Sequence, residues 1–137
     1  MSIRFFSEGI PFRLKNQRKK IKWIKMAATR ERRVVAEINF IFTSDAILSE
    51  LNISYLNHRT LTDIITFDYS NEAGISGDIY ISADRIKENA VKFESRFEDE
   101  LDRVMIHGVL HLCGYKDKSK TQKSMMRKKE DAYLSLR

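Results

Sequence analysis

The spacing of apolar residues changes along the chain, and each change marks an element. In VVAEINFIF, residues 34–42, Ile38, Phe40 and Phe42 fall on one face and Glu37, Asn39 and Ile41 on the other. A period of two is that of a strand with one buried face. DIITFDY, residues 63–69, is β-branched and aromatic and predicts a second strand. Turn residues at 71–74 and 76–77 then lead to a strand DIYIS at 78–82. IRFFSE, residues 3–8, predicts an edge strand. Elsewhere the period is helical. Residues 13–33 carry Leu14, Ile21, Ile24 and Ala28 at helical spacing. Residues 44–57 open on Ser44 as N-cap and carry Ile47, Leu48 and Leu51. Residues 83–93, 98–114 and 120–136 predict three further helices. After the first strand the order α-β-α-β-β-α-α-α predicts an α+β fold. It is a small mixed β-sheet of about four strands with helices packed on it. With one proline, five glycines and no linker-like stretch, residues 1–137 read as one domain.

Composition narrows the setting. Hydrophobic residues at 42% and charged residues at 32% fit a soluble globular protein. No apolar run approaches the ~18 residues of a membrane span. The start, MSIRFFSEGI, lacks a signal-peptide core. Cys113, the lone cysteine, has no internal partner, which points to a reducing compartment and hence to the cytoplasm. Charge is unevenly spread. Eleven Lys and Arg face two acids in residues 1–33, six face fourteen in 34–115, and eight face three in 116–137. Two basic ends flanking an acidic middle make a phosphate-seeking surface if they meet in space. Taken alone, they are equally well read as two solvated helices.

The stretch HGVLHLCGYKD, residues 107–117, carries the candidate chemistry. His107 and His111 are four apart, so on a helix they share a face with Cβ atoms about 5–6 Å apart. Apolar residues surround them from Val104 to Cys113, so the helix should be central and buried. A buried imidazole needs a partner on each ring nitrogen, and a metal on one with an oxygen on the other supplies both. If the helix ran on, Asp117 would lie about 9 Å further along the axis and about 120° around it. Gly114 can end the helix in the left-handed conformation and let the chain return Asp117 to the histidines. Three protein ligands, His107, His111 and Asp117, leave a fourth position open, the catalytic arrangement for zinc. Cys113 points away from His111 at two residues' spacing and is expected in the core, and Tyr115 is expected to pack at the turn. Zinc proteases place a glutamate beside the first histidine as general base; here the residue is Gly108, which disfavours peptide hydrolysis.

The same stretch resembles the signature of the YbeY family of bacterial metal-dependent endoribonucleases of ribosomal RNA maturation, approximately H-G-x-L-H-L-x-G-Y-D-H. LNISYLNHRTLTDIITFDY, residues 51–69, is similar to the family's L-N-x-x-Y-R…T-D-V-L-S-F segment, and GDIYIS, residues 77–82, resembles its G-D-I-x-I-S strand. Together the three cover about half the chain. The resemblance implies a divalent cation, zinc foremost, held by His107 and His111 directly and by Asp117 by position. It also implies a single-stranded RNA substrate, 16S ribosomal RNA 3′-end maturation and an association with the ribosome or its small subunit. Two positions depart from the pattern. The family's third histidine falls at Asp117, with Lys116 in place of the preceding acid, which lowers the site's charge by one and favours harder ions such as Mn²⁺. The family's arginine falls at Leu56, so Arg59 is the candidate substrate-binding cation, an ordinary loop cation being the other reading. His58 is expected exposed in that loop. Asn52, Thr62, Asp63 and Asp78 match motif positions and are expected to be structural. Phosphate contacts are expected from Arg18, Lys19, Lys20, Lys22 and Lys25 and from Lys123, Arg127, Lys128 and Lys129. The rival expectations are a zinc-dependent amide hydrolase and a non-catalytic ribosome-assembly protein with a structural metal.

Overall fold

The alternation in residues 34–42 becomes β2 (Val35–Thr43), at the centre of a four-stranded sheet. The computed structural model describes residues 2–56 and 62–137. Around β2 stand β1 (Ser2–Ser7), β3 (Ile64–Asp68) and β4 (Ile75–Ser82), in the order β1-β2-β4-β3. β1, β2 and β4 run parallel and β3 is an antiparallel edge. Five helices accompany the sheet: α1 (Gln17–Arg30), α2 (Asp45–Leu56), α3 (Ala83–Lys92), α4 (Phe97–Leu112) and α5 (Lys120–Leu134). The expected α+β class and mixed four-stranded sheet are what the chain adopts.

One face of the sheet carries Ile3, Ile38, Phe40, Phe42, Ile79 and Ile81, and α4 is pressed against it. Two glycines allow this close approach. A Cβ on Gly108 would lie 2.9 Å from Cγ2 of Ile79 and 3.1 Å from Cδ1 of Ile64. A Cβ on Gly77 would lie 2.7 Å from Cδ2 of Leu112 and 2.5 Å from the backbone oxygen of Phe67. Helix and sheet therefore meet glycine to side chain at two points, which fixes the height of α4 over β3 and β4. α4 is buried along most of its length, from Leu101 through Met105, Ile106, Val109 and Leu110 to Leu112. That is the central helix the apolar run predicted.

Three expectations are corrected here. The first helix starts at Gln17 rather than residue 13, because Asn16 adopts a left-handed conformation (φ 57°) that breaks it; Leu14 reaches the core from the preceding loop. Ser76 and Gly77 are not a turn but strand residues, paired with Glu37 and Ile38. Lys20 is not a surface cation. It shares the buried face of α1 with Trp23, Ile24 and Ala27, and its Nζ lies 2.6 Å from Asp102 and 3.0 Å from Glu98. A buried ammonium must be neutralised by partners, so Lys20 is committed to tying α1 to α4.

Cys113 lies in the core, and burial pushes its thiol up to about 11. A thiol so far above neutral pH is almost wholly protonated and a poor nucleophile. Native protein at pH 7.5 is therefore expected to react with iodoacetamide far more slowly than the same chain in urea, read by mass spectrometry.

Candidate metal centre

Two caps, one on each side of a short turn, place Asp117. At the end of α4, Gly114 takes φ 106°, its N–H donates to the His111 carbonyl (3.0 Å), and the Tyr115 N–H donates to the Leu110 carbonyl (3.1 Å). This is the double-bonded glycine stop that satisfies a helix's last carbonyls. Nη2 of Arg33 donates to the Cys113 carbonyl (3.0 Å) and completes it. At the start of α5, Ser119 and Gln122 form a capping box. Only the four residues 115–118 are left between the caps, and the chain turns back within them.

The outcome is convergence. Nε2 of His107 and Nε2 of His111 are 3.0 Å apart. Oδ2 of Asp117 lies 3.1 Å from the first and 3.4 Å from the second. Ligands 2.0–2.1 Å from a tetrahedral zinc are separated by roughly 3.3 Å, so the triangle has the edge lengths of such a site. The other ring nitrogens have partners of their own. Nδ1 of His111 faces the Tyr115 carbonyl at 2.9 Å, and Nδ1 of His107 faces Oε2 of Glu130 at 2.6 Å. A carbonyl and a carboxylate accept hydrogen bonds, so each Nδ1 is placed to donate, and each Nε2 is left facing the cluster, where it can offer a lone pair to a cation. Two Nε2 atoms and one carboxylate oxygen then face a common point, a donor set that a cation between them would satisfy. The donor set, two imidazoles and a carboxylate, suits zinc and other first-row divalent ions.

The partners of the histidines are themselves held. Glu130 is buried on α5, and Nη1 of Arg103 donates to its Oε1 at 3.0 Å, while Nη2 of Arg103 donates to Asp131 at 2.8 Å. Tyr115 is anchored through its hydroxyl, which donates to Glu31 (2.6 Å). Glu31 also accepts from Tyr133 and, at 3.1 Å, from Lys129. Burial works against the Glu31 carboxylate, but the hydrogen bonds from Tyr115, Tyr133 and Lys129 outweigh it and hold its pKa below the ordinary range. Lys129 is thereby engaged, contrary to its expected role as a free phosphate contact. Lys123, Arg127 and Lys128 are exposed and make no ion pair among the described residues.

Acids surround His107. Burial disfavours its charged form, yet the hydrogen bond and charge of Glu130, with Asp117 and Asp63, outweigh burial and raise its pKa above 6.5. Burial likewise raises Asp63, opposed by a backbone hydrogen bond and by His107. A cleft of about 460 Å³ opens beside His107 and Asp117, with Asp63, Glu130, Lys123 and Arg127 in its walls. Sequence reasoning missed Glu130 and Arg103. The sign was present in α5: Glu130 shares an apolar face with Met126 and Tyr133, where a carboxylate demands a partner. Asp63, expected to be structural, both lines this cleft and accepts the Ser82 N–H through its carbonyl at 3.0 Å. Thr62 bonds the backbone of Ile64, and Asp78 accepts from Asn39 at 3.1 Å. Arg59 and His58 lie outside the described residues.

Fold and donor set together define an α+β protein whose central helix ends in a cluster able to hold a metal ion. Residues 3–136 match the family described as Endoribonuclease YbeY. The Endoribonuclease YbeY of Flavobacterium psychrophilum is 51% identical over 131 residues, 96% of this chain and 94% of that one. That of Cytophaga hutchinsonii is 48% identical over 137 residues, 99% and 96% of the two chains. The solution structure of TM1509 from Thermotoga maritima superposes with a TM-score of 0.69 at 29% identity, covering 98% of this chain and 87% of that one. The chain belongs to the YbeY endoribonuclease family, as its three motifs had indicated. No helix among the described residues is long and apolar enough to cross a membrane.

Proposed function

We propose that this protein is a metal-dependent endoribonuclease of ribosomal RNA precursors, with His107, His111 and Asp117 holding one divalent cation, zinc by first choice. The observation that carries the reading is the triangle of two Nε2 atoms and one carboxylate oxygen, 3.0–3.4 Å on a side, with each Nδ1 facing an oxygen outside it. When bound, the cation supplies Lewis acidity for attack at a phosphodiester. The chain's own residues do the rest. Glu130 and the Tyr115 carbonyl keep the Nδ1 protons in place and aim the rings. Lys123 and Arg127, in the wall of the cleft, hold phosphates of a single strand, with Arg18, Lys19, Lys22 and Lys25 of α1 and Lys128 of α5 as further backbone contacts. Arg59 is assigned to substrate binding. The proposed setting is cytoplasmic, on the small ribosomal subunit or its precursor, with the 3′ end of 16S ribosomal RNA as target. The test is cleavage of a ribosomal RNA precursor and of a peptide library side by side, each with and without chelator. RNA cleavage lost to chelator and restored by zinc is the expected result. Peptide cleavage with intact RNA would overturn the reading.

Protons compete with the cation for Nε2 of His107. Because its pKa is raised above 6.5 in the metal-free protein, metal affinity is expected to fall as pH drops through a value above 6.5. Metal-free stability runs the opposite way. The contribution of His107 is complete below 6.5 and is lost as pH rises through the raised folded pKa. Thermal melts of metal-free and zinc-loaded protein between pH 6 and 8 read both slopes.

A further inference from the structure

The cleft beside His107 does not end at the cluster. It runs to Asn89 and Phe93 at the end of α3, and a second hollow of about 460 Å³ continues towards Ser95, Ser135 and Arg137. Phe93, Glu100, Arg103 and Arg127 line both hollows and so form the saddle between them. Phe93 is 61% exposed, so its ring presents an apolar face to solvent at this point. Nζ of Lys92 lies 5.5 Å over its ring. Arg127 is exposed and makes no ion pair among the described residues, whereas Arg103 is taken by Glu130 and Asp131. Glu100 in the lining disfavours a phosphate beside it, and the exposed ring of Phe93 offers the flat apolar face that a base fits.

We infer that Phe93 is a stacking platform for one nucleobase of single-stranded RNA, next to the metal cluster, with Arg127 and Lys92 on the flanking phosphates. An aromatic face accepts any base, and unpaired bases are free to stack where paired ones are not. The platform therefore selects single strands at this point and sets the position of the cut relative to one unpaired nucleotide. Asn89 offers an amide to the edge of the stacked base and gives it a preference. The inference rests on the ribonuclease reading.

The test uses fluorescence anisotropy and cleavage kinetics with single-stranded RNA oligonucleotides. One series carries a single abasic nucleotide moved along the strand. For Phe93→Ala the expected result is a rise of roughly tenfold in Kd and KM, the size of one lost base–aromatic stack, with kcat and bound metal unchanged. Phe93→Trp restores binding, and its added tryptophan emission is quenched by RNA beyond any change in the wild type, whose only tryptophan, Trp23, is buried. The penalty of Phe93→Ala disappears on the oligonucleotide whose abasic position meets the platform. A wild type that binds and cuts RNA while Phe93→Ala behaves identically at every abasic position overturns the platform alone. A wild type that neither binds nor cuts single-stranded RNA overturns the ribonuclease reading and the platform with it.

Discussion

His111→Ala is expected to remove the cation and RNA cleavage together while leaving the fold intact. The side chain is only partly buried, and alanine is the best helix former, so α4 keeps its packing. What is lost is one corner of the triangle. His107 and Asp117 remain 3.1 Å apart but close no three-ligand site. Metal affinity should fall by more than the roughly 10- to 100-fold that removing a group behind a ligand costs, and cleavage should fall at least as far. Metal analysis after gel filtration, cleavage of a ribosomal RNA precursor and circular dichroism check the three parts. A variant that keeps one cation per chain would remove His111 from the site.

Glu130→Gln is the second change with a large expected effect, and its cause is electrostatic. Glutamine keeps the size of the side chain and an oxygen for the Nδ1 proton of His107. It removes the negative charge that makes that imidazole a stronger ligand and frees Arg103 from one of its two partners. Metal affinity is expected to drop about 10- to 100-fold, measured by competition with a chelator. Glu130→Ala should do worse, because it also leaves a buried N–H unmatched at a cost of about 1–3 kcal/mol. If Glu130→Gln bound zinc as the wild type does and only Glu130→Ala suffered, the carboxylate would be a packing element and no more.

These two residues mark how much of the site the sequence discloses. His111 is legible because helix geometry needs only its spacing from His107 and an apolar setting. Asp117 is legible because Gly114 is the residue that can end a helix in a left-handed turn. Glu130 lies 23 residues from His107, on a different helix, and only packing brings α4 and α5 together. Charge is read least well. Lys20 and Lys129 look like surface cations in a basic run, yet each faces a carboxylate from a distant element, Asp102 and Glu31. Net charge by segment describes the field and not which cations are free. Residues 34–42 are legible as a strand by alternation and residues 63–69 by their β-branched and aromatic side chains, whereas Gly77 looks like a turn residue and lies in a strand. Its glycine answers to Leu112 and to the Phe67 carbonyl, which are remote in sequence. Strand order was equally invisible, since β4 lies between β2 and β3 through contacts that no local pattern encodes.

The most direct measurement is anomalous diffraction at the zinc edge from crystals of the zinc-loaded protein. A single strong peak about 2.0–2.2 Å from Nε2 of His107, Nε2 of His111 and Oδ2 of Asp117 is the predicted result. A peak bound elsewhere, or these three side chains turned apart in zinc-saturated crystals, would contradict it.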